Sequence, residues 1–259
     1  MKLKLLAGAA LAGVFAASGA WAEPQGTGPA PSGWYGAIDL GLHNWSTWNT
    51  RSSANESDGE PAHLAFHAGT TDFTGFARVG YKLSPHLRIE LEGGYRSGQL
   101  GAVNDSASRP IGAICHIGGA TCGHPSGLIH GLTIMGNVLF DVLPDSPVDP
   151  FFGAGAGIIN YRVEANGVFS EADGDPLSPA QNFEMSASDN KFAYQGIAGL
   201  AFRITDQLSG DLTYRYLGTQ DAFLNTHGTG PGGNALELGV INGVVRDQSI
   251  TVGLRYLFA

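Results

Sequence analysis

Arg88, Glu90, Glu92 and Arg96 recur at even spacing, and they are the first place where this chain could do chemistry. On an extended strand, side chains two apart share a face, so the four form one charged row. Asp39, Arg78, Lys82, Asp141, Arg162, Glu164, Arg203, Asp211, Arg215 and Arg255 fall on the polar faces of other alternating segments. If these faces turn inward, unpaired charges would be very costly, so cations and carboxylates must pair across the interior. A fully paired set is a plug. A set that can exchange partners is a gated water path.

Three other groups of residues invite a chemical reading. Cys115 and Cys122, the only cysteines, allow one disulfide, which would constrain a short loop by roughly 2–3 kcal/mol in the chain-entropy account. His116 and His124 flank that pair and His63 and His67 lie upstream, but neither spacing specifies a metal site, so no metal is expected. Ser126, His130 and Ser97 could supply a nucleophile and a base, yet no acidic residue is placed to orient His130. No catalytic residue and no cofactor are expected. Gly153-Ala-Gly-Ala-Gly157 lies inside a strand pattern with no helix after it, unlike a nucleotide loop.

The elements that carry these residues begin after an export segment. Lys2 and Lys4 precede an apolar run from Leu5 to Ala17, and Ala20-Trp21-Ala22 forms a small-x-small cleavage site. Residues 1–22 therefore read as a signal peptide, 23–33 as a short periplasmic lead and 34–259 as one domain. Exported cysteines can oxidise. Without Lys2 and Lys4, twelve of the 14 basic residues face 23 acidic ones, a net charge of −11 that argues against nucleic acid as a partner. Thirty-nine glycines argue against a helical core.

Eight segments alternate with period two: about 34–46, 71–83, 87–96, 127–142, 151–164, 191–204, 208–216 and 249–258. Short turns such as Ser84-Pro85-His86 join the second to the third, fourth to fifth and sixth to seventh. The other connections are long and rich in Gly, Ser, Asn, Asp and Pro, as transmembrane barrels show on their extracellular side. They carry Glu56, Asp58, Glu60, Asp105, Glu171, Asp173, Asp175 and Glu184 outward. The apolar rows end in aromatics, among them Tyr81, Tyr95, Tyr161, Tyr194, Tyr214, Tyr216, Tyr256 and Phe258, as interfacial girdles do. Eight strands leave a bore that side chains can fill, which favours the plug over the passage.

Thr251-Val-Gly253-Leu-Arg-Tyr256-Leu-Phe258 resembles the C-terminal signal by which bacterial outer-membrane barrels are recognised for insertion, with Ala259 added after the last aromatic. Phe192-Ala-Tyr-Gln-Gly-Ile-Ala-Gly-Leu-Ala-Phe202 with Leu208-Ser-Gly-Asp-Leu-Thr-Tyr-Arg-Tyr216 resembles the penultimate hairpin of the OmpA-like barrel family. Pro150-Phe-Phe-Gly-Ala-Gly-Ala-Gly157 is similar to that family's fifth strand. The resemblance implies an all-β, eight-stranded antiparallel up-and-down transmembrane β-barrel, monomeric, in the bacterial outer membrane. It also implies contact with outer-membrane lipid and lipopolysaccharide, and with the barrel-assembly machinery during insertion. Many relatives add a periplasmic peptidoglycan-binding domain, which is not expected here. The function expected is an envelope protein with a structural and surface-interaction role and limited solute passage. A porin-like channel and a lipid-modifying barrel enzyme are the alternatives.

Overall fold

A computed structural model of the protein describes residues 33–55, 61–68, 71–105, 111–115, 125–171, 181–229 and 234–258. The export segment and all of the lead except Gly33 lie outside these residues. Eleven strands follow in chain order. They are β1 (Trp34–Trp45), β2 (Trp48–Asn55), β3 (Pro61–Ala68), β4 (Asp72–Ser84), β5 (Leu87–Asp105) and β6 (Ile111–Cys115). The remainder are β7 (Ser126–Asp141), β8 (Val148–Glu171), β9 (Asn182–Arg203), β10 (Leu208–Thr229) and β11 (Ala235–Leu257).

Eight of them close a ring. β1 pairs with β4, then β5, β7, β8, β9, β10 and β11 follow, and β11 returns to β1 from Tyr35↔Leu257 to Trp45↔Asp247. Every pairing is antiparallel, and closure leaves no free sheet edge in this zone. At one end the connections are tight. Between β9 and β10 the Thr205 hydroxyl accepts the amides of Gln207 and Leu208, which holds a four-residue turn.

The outer face of the ring is apolar, and no other described residue covers it. Ile38, Leu40, Phe73, Leu91, Leu132, Ile134, Ile158, Val252 and Leu254 are each 51–78 % exposed. A continuous apolar belt of this kind fits lipid and would be a liability in water. Trp34 packs edge-on against Tyr81, and Tyr256 against Phe258, at the rim where the tight turns lie. Phe73, Tyr95, Phe192 and Tyr194 mark the opposite rim.

The long connections are not plain loops. β2 continues β1 beyond Trp45 and pairs with β11, while β3 pairs with β5 and leads into β4. β6 sits above β7, between β5 and β8. β8 to β11 run 22–24 residues each. At about 3.3 Å per residue and a tilt near 40° they span about 55–60 Å, roughly twice the apolar band of such a barrel. The wall therefore rises well above the membrane. It does so because its interior there is apolar. Trp45, Trp48, Phe66, Leu100, Ile114, Ile129, Ile159, Tyr161, Phe183, Met185, Leu217 and Val245 form one buried cluster.

The wall is interrupted between β9 and β10. β9 and β10 are in register up to Thr219↔Ala193 and again from Thr226↔Met185. In between, residues 186–192 of β9 pair only with β8, and residues 221–225 of β10 pair only with β11.

Candidate functional site: a buried ion-pair lattice

Below the apolar cluster the barrel interior is charged. Inward positions of β1, β4, β5, β7, β10 and β11 carry Asp39, Arg78, Lys82, Arg88, Glu90, Glu92, Arg96, Asp141, Asp211, Arg215 and Asp247, all at most 9 % exposed. The lattice is built around Asp39. One carboxylate oxygen takes Arg78 Nη2 at 2.7 Å and the other takes Arg215 Nη2 at 2.8 Å. Arg78 also donates to Glu90 at 3.1 Å and Asp211 at 2.9 Å, so it ties β4 to β5, β1 and β10. Arg215 reaches Glu92 at 2.9 Å and the Thr251 hydroxyl at 2.8 Å. Gln195 bridges Glu92 at 2.9 Å and Asn137 at 2.7 Å.

Two further clusters cap this centre. Toward the tight turns, Arg88 Nε lies 2.9 Å from both oxygens of Asp141, the Tyr35 hydroxyl donates to Glu90 at 2.8 Å, and Arg255 reaches Asp211 at 3.3 Å. Toward the apolar cluster, Arg96 donates to Asp247 at 2.9 Å and to Thr133 at 3.0 Å. His43 Nδ1 lies 2.7 Å from the other Asp247 oxygen, and its Nε2 faces the Ser97 carbonyl at 2.5 Å. Phe76 gives its ring to two guanidinium groups, Arg215 at 4.2 Å and Arg96 at 4.8 Å.

The structure places Arg162, Glu164, Tyr161 and Arg203 elsewhere and leaves Lys82 unpaired among the described residues. Arg162 and Glu164 point outward, with side chains 65 % and 43 % exposed, and pair with each other at 2.9 Å. Their stretch of β8 stands above the lipid belt, where water meets the outer face and Ile159, Tyr161, Val163 and Ala165 fill the inside. For the same reason Tyr161 is core, not girdle, and packs edge-on against Trp45. Arg203 lies at the mouth by the tight turns and donates to the Pro144 carbonyl. Lys82 opens on that same mouth, and among the described residues it forms no ion pair or hydrogen bond.

The outward pair should matter little, since exposed ion pairs contribute about 0–1 kcal/mol. Arg162→Ala is expected to shift the urea unfolding free energy of the refolded barrel by less than about 0.5 kcal/mol, a small fraction of the loss expected at a buried pair.

The remaining candidates are dispersed. Tyr95 stacks on His130 and its hydroxyl lies 2.9 Å from His130 Nδ1, while the Ser97 hydroxyl donates to the Phe73 carbonyl. His67 Nδ1 lies 3.2 Å from the Thr47 hydroxyl. Cys115 is buried at the end of β6, and Cys122, His116 and His124 lie outside the described residues. Among the described residues no group of three His, Cys, Asp or Glu side chains is placed to hold a metal ion. Of the terminal motif, Thr251 is buried within the lattice, Gly253 faces Asp39, and Tyr256 and Phe258 face out.

Residues 7–258 match the family described as "Outer membrane protein beta-barrel domain". The chain belongs to that family. It is an outer-membrane β-barrel protein. A protein of Gluconacetobacter diazotrophicus called "Outer membrane protein" is 30 % identical over 196 residues, which cover 72 % of this chain and 46 % of that protein. The barrel chain thus spans about half the length of that relative. An uncharacterized protein of Brucella suis biovar 1 is 24 % identical over 207 residues, 73 % of this chain and 69 % of that one. The outer membrane protease OmpT of Escherichia coli superposes with a TM-score of 0.51 at 14 % identity, over 91 % of this barrel and 99 % of OmpT. The outer membrane protein OprG of Pseudomonas aeruginosa gives 0.50 at 12 % identity, over 89 % and 99 %. At these identities the likeness concerns the barrel fold.

Proposed function

We propose that this is a closed, non-enzymatic barrel whose work lies in envelope structure and in contacts at the cell surface. The observation that supports this is the filled interior. A lattice in which each of six buried carboxylates takes at least one cationic or histidine partner lies beneath a packed apolar cluster. An ion crossing it would have to break charge-assisted bonds and then shed its water among aliphatic and aromatic side chains. Two unlike barriers in series make passage improbable without a large rearrangement.

Surface contact is supported by the tall wall. Its outer face is polar, with Arg162 paired to Glu164 and Asn160 bonded to Asn190 at 2.9 Å. Lipid and lipopolysaccharide are the partners this face would meet, and the barrel-assembly machinery would read the terminal strand during insertion. Of the acidic set, Glu184 is exposed on β9, while Glu56, Asp58, Glu60, Asp173 and Asp175 lie outside the described residues. The non-enzymatic reading rests on His130, whose Nδ1 is occupied by Tyr95, and on Ser97, which is committed to a carbonyl.

Planar-bilayer recording of the refolded barrel tests the proposal. No reproducible unitary openings are expected. Discrete, protein-dependent steps would replace the plug with a channel.

A further inference from the structure

The lattice leaves one lysine without an ion-pair partner. Asp39, Glu90, Glu92, Asp141, Asp211 and Asp247 share Arg78, Arg88, Arg96, Arg215, Arg255 and His43 among themselves. Lys82, at 9 % exposed, is the most accessible of the buried inward charges, and its ammonium forms no ion pair or hydrogen bond among the described residues. A lysine so placed should have an acceptor within reach, because burial without one is costly.

Lys82 lines a cavity at the mouth beside the tight turns, together with Arg203 and Arg255 from facing strands. Arg203 uses Nη2 on the Pro144 carbonyl and has no carboxylate partner among the described residues. The cavity also holds three carboxylates, Asp141, Asp149 and Asp206, against the four cations Lys82, Arg88, Arg203 and Arg255. Both Asp141 oxygens accept from Arg88, and Asp149 accepts the Leu143 amide at 2.8 Å. Ser209 and Gln207 add a hydroxyl and an amide to the lining.

The geometry points to a binding site for a small oxyanion at this mouth, a phosphate or carboxylate group held by Lys82 with Arg203 and Arg255. A tight-turn end faces the periplasm in such barrels, so the anion would come from that side. The planar fork of an arginine suits two oxygens of one group, and the lysine supplies a point charge between them. The site does not depend on whether the lumen conducts, because the apolar cluster and the Asp39-centred pairs of the lattice lie above it.

Calorimetric titration of the refolded full chain in zwitterionic detergent, at constant chloride ionic strength, tests the site with inorganic phosphate and, separately, acetate. Saturable phosphate uptake with a Kd on the order of 1 mM is expected. Lys82→Met should weaken it about tenfold or more, Arg203→Gln should weaken it too, and Lys82→Arg should largely retain it. Arg162→Gln, far up the outer wall, should leave it unchanged. Acetate binding as well as phosphate would assign the site to carboxylates generally, and preference for phosphate would assign it to phosphoryl groups. Equal phosphate uptake by wild type and Lys82→Met, or none beyond chloride, would overturn the site. If Lys82→Met does not refold, Lys82→Gln against Lys82→Arg makes the same comparison.

Discussion

Asp39→Ala is expected to cost the folded barrel about 3–5 kcal/mol, the loss typical when one member of a buried ion pair is removed. Among the described residues Asp39 alone pairs with both Arg78 and Arg215, one on each oxygen. Alanine there leaves two guanidinium groups short of a negative partner, in an interior where neither can reach water. Asp39→Asn keeps the shape and one acceptor oxygen, so its loss should fall between that of alanine and wild type. Reversible urea unfolding in lipid vesicles, followed by tryptophan fluorescence, measures both. A loss under about 1 kcal/mol for the alanine variant would mean that the lattice decorates the barrel without holding it.

The second large effect is expected at Gly253. Its Cα stands opposite Asp39 across the seam where β11 meets β1. A methyl group placed on Gly253 would overlap the Asp39 carboxylate and come within 2.6 Å of the Ile38 carbonyl. Glycine is needed here for close approach, so that the carboxylate can lie over the neighbouring strand. Gly253→Val forces either the carboxylate off its two arginines or β1 away from β11. Refolding into detergent from urea, read by the mobility of unheated samples on a gel, should show a folded yield lower by about tenfold or more. Because no assembly machinery is present in that assay, the loss would reflect closure itself and not recognition of the terminal motif. Wild-type yield would show that the seam tolerates separation.

The membrane zone was legible in the sequence because lipid outside and ion pairs inside impose opposite chemistry on alternate residues. The eight strand segments, their tight turns and the apolar outer rows all follow from that contrast. The same rule misplaced Arg162, Glu164 and Tyr161. Alternation gives two faces but not which one meets lipid, and above the belt the polar face is the wet outer one. Asp247 was missed because the terminal strand was started at Ser249; carrying the same alternation one step back would have found it. Phe76 breaks a polar row and becomes intelligible only once Arg96 and Arg215 are seen on its ring. β2, β3 and β6 are short, and they become strands because β11, β5 and β8 offer them edges. Such pairing is non-local, and no window of sequence displays it.

The interruption between β9 and β10 weakens the cylinder along one line. In an antiparallel strand alternate amides point to opposite sides, so about half of those in residues 186–192 aim at no strand. Deuterium should enter there long before it enters the same height of β8, and proteases or denaturant should find their first foothold there. A cylinder that is stitched all the way round in the membrane zone has a built-in starting notch above it, where unzipping of β9 from β10 would begin.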